Sequence, residues 1–287
     1  MLRPYLELLR PANVATALAD VLAGFALAGL ANRPSLPWLL LSTVCLYGGG
    51  IVLNDVFDRD LDRVERPERP IPSGRVSTAR AAIFGGTLLA AGVAAAALAS
   101  TAALMMALAI AGGVLLYDAW GKRHGAIAPF NMGMCRALNL LLGAAAVPAV
   151  LPRVWPIAGI PLLYIYAVTA VSRGEVHGGS SRTAAVALRV LLGALIALLV
   201  LVARAGAYPV PAVILIAVLG WRVIPAFAAA RARPEPATIR MAVKRGVLSL
   251  VLLDAALAAA FAGPAYAAIV LATGLAAGWL ARMFAVT

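Results

Sequence analysis

Four residues at the end of a long apolar run, Asn54, Asp55, Asp58 and Asp62, have the types and the spacing to hold a divalent cation. At about 100° per residue, with Asp55 at zero, Asp62 lies about 20° away, Asp58 about 60° and Asn54 about 100°, all on one side of a helix. Asp60, about 140° off, is a bystander. Three carboxylates on one face repel one another unless a cation sits among them. Asn54 adds a neutral oxygen, so the set resembles a Mg²⁺ site, which takes carboxylate oxygens, keeps several waters and shares its shell with a substrate phosphate. The arginines that follow, Arg59, Arg63, Arg66, Arg69 and Arg75, suit phosphate oxygens. The stretch 48–80 holds six of the chain's 12 acidic residues, the other members being Asp60, Glu65 and Glu68. The plain alternative is a solvated loop in which acids and bases simply pair.

The next polar loop carries Tyr117, Lys122 and Arg123. The charge asymmetry of membrane loops is enough to account for the two cations. Asp118 beside them is either an extra ligand or their partner. Asn131, Cys135 and Asn139 recur four residues apart, with Arg136 beside them. An arginine about two turns into an apolar helix is costly unless it meets a partner or a polar cavity, so Asn131, Arg136 and Asn139 are read as facing a cavity. Hydrogen bonding between helices is the other account. A later polar stretch, 170–188, collects Arg173, Glu175, His177 and Arg182. Arg10 and Asn13 open the first apolar segment as an anchor and a cap, or as ligand contacts. Asp254 stands alone among the last segments, pairing with a neighbouring helix or lining the cavity.

The elements that position these groups are membrane helices. Hydrophobic residues make up 63% of the 287 and charged ones 13%, with a mean hydropathy of +0.94, far from a soluble domain. Ten apolar segments, each about the length needed to cross the hydrocarbon, fall at 12–31, 36–55, 80–99, 102–118, 129–149, 155–172, 184–203, 208–229, 246–262 and 265–284. The net charge of +12 sorts by loop: Arg33, Arg153 and Arg204 fall on one side, while Arg3, Arg10, the 59–80 loop, Lys122, Arg123, Arg173, Arg182, Arg231, Arg233, Arg240, Lys244, Arg245 and Arg282 fall on the other. The positive-inside rule then puts the aspartate loop and both termini in the cytoplasm. Anionic head groups account for the surplus charge, and nucleic acid is not an expected partner. Cys45 and Cys135 suggest neither a disulfide frame nor a zinc site. The first residues lack the order of a cleaved signal peptide. Gly48-Gly49-Gly50 in the second segment lets a neighbouring helix approach closely; between Glu65 and Gly74 three prolines and a glycine end the helix, and Ser77-Thr78 offers a cap for the next.

The run NDVFDRDLD followed by RPERPIPSGRVS resembles the first aspartate-rich motif of the UbiA superfamily of intramembrane prenyltransferases, Asn-Asp-x-x-Asp-x-x-x-Asp with an Arg-Pro and Gly-Arg loop after it. Segment number and length are similar along the whole chain. The resemblance implies an all-α, polytopic transmembrane helical bundle of nine or ten helices around a central cavity, with 1–287 as one integral-membrane prenyltransferase-like domain. It implies that Asn54, Asp58 and Asp62, with Asp55 next in line, hold Mg²⁺ against the diphosphate of an isoprenoid donor. Tyr117, Lys122 and Arg123 are similar to the family's Tyr followed by Lys-Arg, which implies diphosphate binding and leaving-group stabilisation. Asp58, Asp62, Lys122 and Arg123 are thus the expected catalytic groups. Asn13, Arg66, Arg69, Tyr117, Asn131, Arg136, Asn139, Arg173, Glu175, His177 and Arg182 are the expected substrate contacts.

At the position of the family's second aspartate-rich motif the sequence departs from the pattern, keeping only Glu175 and His177 where two or three Asp are expected. Either Arg173, Arg182 and Arg136 replace the charge of a second cation, or the protein binds an isoprenoid phosphate without turning it over, as a carrier. A similar first motif and Arg-Gly-Glu stretch mark the UbiA-like proteins of Ebo gene clusters, which this chain resembles. The expected activity is Mg²⁺-dependent transfer of a prenyl group from an isoprenoid diphosphate to an acceptor reached from the bilayer. The expected location is a bacterial inner (cytoplasmic) membrane with the site loops facing the cytoplasm. The Asp-Gly-x-x-Ala-Arg pattern of phosphatidyl-alcohol transferases is absent.

Overall fold

The structure, a computed structural model, describes residues 3–125 and 127–283, the side chain of Arg123 excepted. It is all-helical: α1 (Arg3–Leu9), α2 (Pro11–Leu27), α3 (Leu36–Phe57), α4 (Arg59–Glu65), α5 (Thr78–Ala99), α6 (Thr101–Ala119), α7 (Ile127–Ala144), α8 (Leu151–Val154), α9 (Gly159–Ser172), α10 (Ser181–Ala205), α11 (Pro209–Ala232), α12 (Pro236–Ala262) and α13 (Pro264–Leu280). Each of the ten expected segments falls on one of these helices. Among the described residues six stretches are long and apolar enough to cross a bilayer, and a seventh is made of 148–154 and Gly159–Ser172, bent by 61°. Helices α2 and α13 are apolar but shorter. The α12 helix starts ten residues before the expected 246, because Arg240, Lys244 and Arg245 extend its first turns beyond the apolar window.

Local chemistry sets the ends. Proline opens α2, α11, α12 and α13, where its missing N–H has no helical acceptor to lose. The Ser77, Ser100 and Ser180 side chains accept from the backbone N–H of Arg80, Ala103 and Thr183 and so cap α5, α6 and α10. Ser77 is the cap expected from the sequence.

Apolar side chains fill two main clusters, and both draw on α2 and α7. Ala19, Leu22, Ala23, Ala137 and Leu140 join the one built with α9 to α13. Val21, Phe25 and Leu142 join the other, with α3, α5 and α6. In a bilayer, lipid tails are as apolar as leucine, so helix association depends on close van der Waals approach rather than on burial. Glycine provides it: a Cβ on Gly24 would run into the backbone carbonyl of Leu140, and one on Gly143 into that of Val21. Gly49 of the expected Gly48-Gly49-Gly50 contact lies against α5, where a Cβ would come 2.8 Å from the Gly85 carbonyl oxygen.

A first expected result follows. Gly24→Ala forces α2 and α7 apart and costs about 1–3 kcal/mol or more, read as a lower midpoint of unfolding in detergent. Gly86→Ala, in open space, stays neutral or gains up to about 1 kcal/mol from helix propensity. Equal behaviour of the two variants would remove this account of the α2–α7 contact.

Candidate active site

The expected one-sided array of Asn54, Asp55, Asp58 and Asp62 on a single helix is corrected by the structure. The α3 helix ends at Phe57, and Asp58 (φ −89°, ψ 3°) joins it to α4. Backbone bonds from Asp58 N to Asn54 O (2.9 Å) and from Asp62 N to Asp58 O (2.8 Å) carry the ladder across the joint. The side chains then part company. Asp55 Oδ1 accepts from Arg10 Nη2 at 2.5 Å and from Arg69 Nη1 at 3.3 Å. Asp62 Oδ2 accepts from Arg69 Nη1 at 2.7 Å. Asp58 Oδ1 lies 2.5 Å from Lys122 Nζ. Like-charge repulsion is thus relieved by the chain's own cations, and among the described residues no three ligating side chains converge on one point.

Two of these cations arrive by distinct routes. Arg69 comes from the proline-rich loop after α4 and bridges Asp55 and Asp62. Arg10 caps α2 in the left-handed region at φ 44°, a backbone costing about 1–2 kcal/mol for an L-residue, which sets its guanidinium against Asp55. Burial lowers the Arg10 pKa from its ordinary value; Asp55 opposes that, while Arg69 and Arg66 add to it. It remains a cation, because an arginine starts so high.

Asn54 turns the other way, into a cavity of about 210 Å³ between α2, α3, α6 and α7. Its Nδ2 donates to Asp118 Oδ1 at 2.7 Å. Asp118 also lines the cavity and is 2% exposed. Its Oδ2 is buried without a hydrogen-bond partner. Such an orphaned oxygen beside an amide carbonyl fits a hard cation. Arg10, Asn13, Tyr117, Asn131, Arg136 and Asn139 line the same cavity, whose apolar wall includes Leu46, Ile51, Ile110, Val114 and Met132. Asn131, Arg136 and Asn139 thus line the cavity, and the other account, hydrogen bonding between helices, holds as well for Arg136 and Asn139. Arg136 is nonetheless already engaged: it donates to Asp20 Oδ2 (2.7 Å), Thr16 Oγ1 (3.0 Å) and Tyr47 Oη (2.9 Å). Asn139 donates to Asp20 as well (2.8 Å) and accepts from Thr43 (2.7 Å).

The remaining expected contacts lie elsewhere. Arg173 and Arg182 line a second cavity of about 560 Å³ at the start of α7, the end of α9 and the start of α10. Glu175 lies where the charges of Arg66 and Arg240 act on it; burial raises its carboxyl pKa and those two arginines oppose the rise. His177 is exposed. The side chain of Arg123 lies outside the described residues. Asp254 is fully buried and lines neither cavity. Asp20, Thr16, Tyr47 and Thr43 went unnoticed in the sequence. Asp20 carried a signal, being the lone acid inside an apolar helix.

A model of the UbiA prenyltransferase family matches residues 17–245. A digeranylgeranylglyceryl phosphate synthase of Methanothrix thermoacetophila is 42% identical over 116 residues, 40% of this chain and 43% of that one. The chain thus matches under half the length of that relative, and from 33% to 57% of the first three. The digeranylgeranylglyceryl phosphate synthase of Halobacterium salinarum (strain R1) is 30% identical over 266 residues, 86% of this chain and 94% of that one. A solved UbiA homolog from Archaeoglobus fulgidus, bound to GPP and Mg²⁺, superposes with a TM-score of 0.63 at 18% identity, covering 96% of this chain and 99% of that one.

Proposed function

The chain belongs to the UbiA prenyltransferase family, and from that premise we propose that it moves a prenyl group from an isoprenoid diphosphate to an acceptor reached from the bilayer, with Mg²⁺ as cofactor. The carrying observation is the mouth of the first cavity, where Asn54 and the orphaned oxygen of Asp118 meet a largely apolar chamber. Asn54, Asp55, Asp58 and Asp62 are the proposed holders of Mg²⁺, to which the geometry adds Asp118. When bound, the ion supplies positive charge for the diphosphate oxygens. Lys122 and Arg69 then release Asp58 and Asp62 and turn to the diphosphate, with Arg123 and Arg66 proposed beside them. Tyr117, Asn13, Asn131 and Asn139 orient the head of the donor. Leu46, Ile51, Ile110, Val114 and Met132 take the isoprenoid tail and exclude water, which protects an electron-poor allylic carbon from hydrolysis.

The bundle is an integral membrane protein, and we place it in a cytoplasmic membrane as one domain over 1–287, its polar loops on the cytoplasmic side. The finer likeness to UbiA-like proteins of Ebo gene clusters rests on the first motif and the Arg-Gly-Glu stretch. The relatives reported above bear another name, that of a lipid glyceryl phosphate, which is the acceptor class to try first. One observation favours a second reading, a carrier of polyprenyl phosphate: every carboxylate of the first motif that could ligate a metal through Asp55, Asp58 or Asp62 is already ion-paired.

The test uses the full chain in nanodiscs with labelled geranylgeranyl diphosphate and a panel of lipid acceptors. Diphosphate release stops when EDTA is added and returns with Mg²⁺. Tight Mg²⁺-dependent binding with no release under any acceptor would replace the enzyme by the carrier.

A further inference from the structure

We propose that the second cavity binds the phosphate monoester head group of the lipid acceptor, so that a position where the family holds metal with acids has become, in this chain, a site for an anion. The inference rests on the proposed prenyl transfer and names the class of its acceptor. The cavity draws Arg173 from the end of α9 and Arg182 from the start of α10, and none of its lining residues is acidic. Arg173 commits one N–H to the Gly125 carbonyl, Nη1 to O at 3.0 Å, leaving its other donors. Arg182 makes no hydrogen bond or ion pair among the described residues. The loop's one acid, Glu175, does not line the cavity, and its backbone carbonyl accepts from Arg240 Nη1 at 3.0 Å. Cations thus line the cavity and the acid does not.

The backbone adds donors. At the start of α10, Thr183 N is met by the Ser180 side chain (3.1 Å) and Ala184 N by the Ser180 carbonyl (3.1 Å), so the amides of Ser181 and Arg182 keep no helical acceptor. Gly174 and Gly179 fold the loop tightly behind them, and a Cβ on Gly174 would come 2.9 Å from the Gly179 backbone. Tyr166, Val186 and Ile239 supply apolar surface for the base of a lipid chain.

Charge selects the ligand class. A phosphate monoester carries about −1.5 to −2 at neutral pH, which two guanidinium groups match. A neutral phenol or quinol would leave both cations uncompensated in an acid-free pocket. The donor diphosphate is placed at the first cavity by Asn54 and Asp118.

The experiment measures binding of a single-chain alkylglycerol phosphate to the full chain in nanodiscs, first without donor, against the same lipid lacking its phosphate and against inorganic phosphate. Expected is binding of the phosphorylated lipid only, weakened tenfold or more by Arg182→Ala and partly restored by Arg182→Lys. With donor and Mg²⁺ present, Arg182→Ala raises the acceptor KM by a like factor and leaves the donor KM unchanged. Equal binding of the dephosphorylated lipid overturns the proposal. So does inorganic phosphate that binds as tightly as the lipid, since the site would then serve a soluble ion. A rise in the donor KM alone overturns it too, returning the arginines to the diphosphate. Absence of turnover would sink the prenyl-transfer reading, while the donor-free binding arm still judges the cavity.

Discussion

Asp58→Asn is expected to cut diphosphate release by about 10²–10³-fold, the loss seen when one preorganised group that stabilises departing charge is removed, while the midpoint of unfolding hardly moves. The two halves of that expectation come from different facts. Asp58 sits at the joint of α3 and α4, where the ladder of backbone bonds does not depend on its side chain. Its ion pair with Lys122 is partly buried, at 23% and 16% side-chain exposure, and Asp118, 3.9 Å from the same ammonium, keeps a carboxylate beside Lys122 when Asp58 is neutralised. Asparagine keeps the volume and one oxygen, so folding has little to lose. Activity has more at stake, because Asp58 is proposed both to hold Mg²⁺ and to keep Lys122 in place until the diphosphate arrives. Steady-state release and thermal unfolding, measured on the same preparation, separate the two. A variant that loses stability along with rate would make Asp58 a structural residue.

The sequence made the helices and the acidic cluster plain, because apolar length and a run of charge are local properties of a chain. Ten segments could be marked, and the Gly48-Gly49-Gly50 contact and the Ser77 cap could be foreseen from residue type alone. Periodicity gives the angle of a side chain about its own axis, however, and says nothing about which neighbouring helix brings the opposite charge. Asn54 and Asp55 are adjacent, yet Arg10 pairs with Asp55 while Asn54 donates to Asp118. The same limit hid the division of the later loop, whose arginines line a cavity that Glu175 does not reach. Asp20 was visible as a lone acid, but its partner lies 116 residues away, a distance no local pattern spans.

That partner leads to the second large effect, on stability. Arg136 is 5% exposed and Asp20 0%, and their 2.7 Å pair lies between α2 and α7. A buried ion pair contributes little net stability, since desolvating two charges offsets most of their attraction, but losing one partner leaves the other uncompensated at a cost of about 3–5 kcal/mol. Arg136→Met and Asp20→Leu are therefore each expected to unfold the bundle at markedly lower temperature. The double variant, which leaves no orphaned charge between the helices, recovers most of the loss. Recovery need not be complete, because Asn139 Nδ2 also donates to Asp20 at 2.8 Å and would lose that acceptor. Strictly additive single losses would mean that the two residues are not energetically coupled. Activity of the double variant then answers what stability cannot. If Arg136 only ties α7 to α2, the refolded double variant transfers prenyl groups normally. If its cavity-facing guanidinium also meets the donor, stability returns and the donor KM stays high.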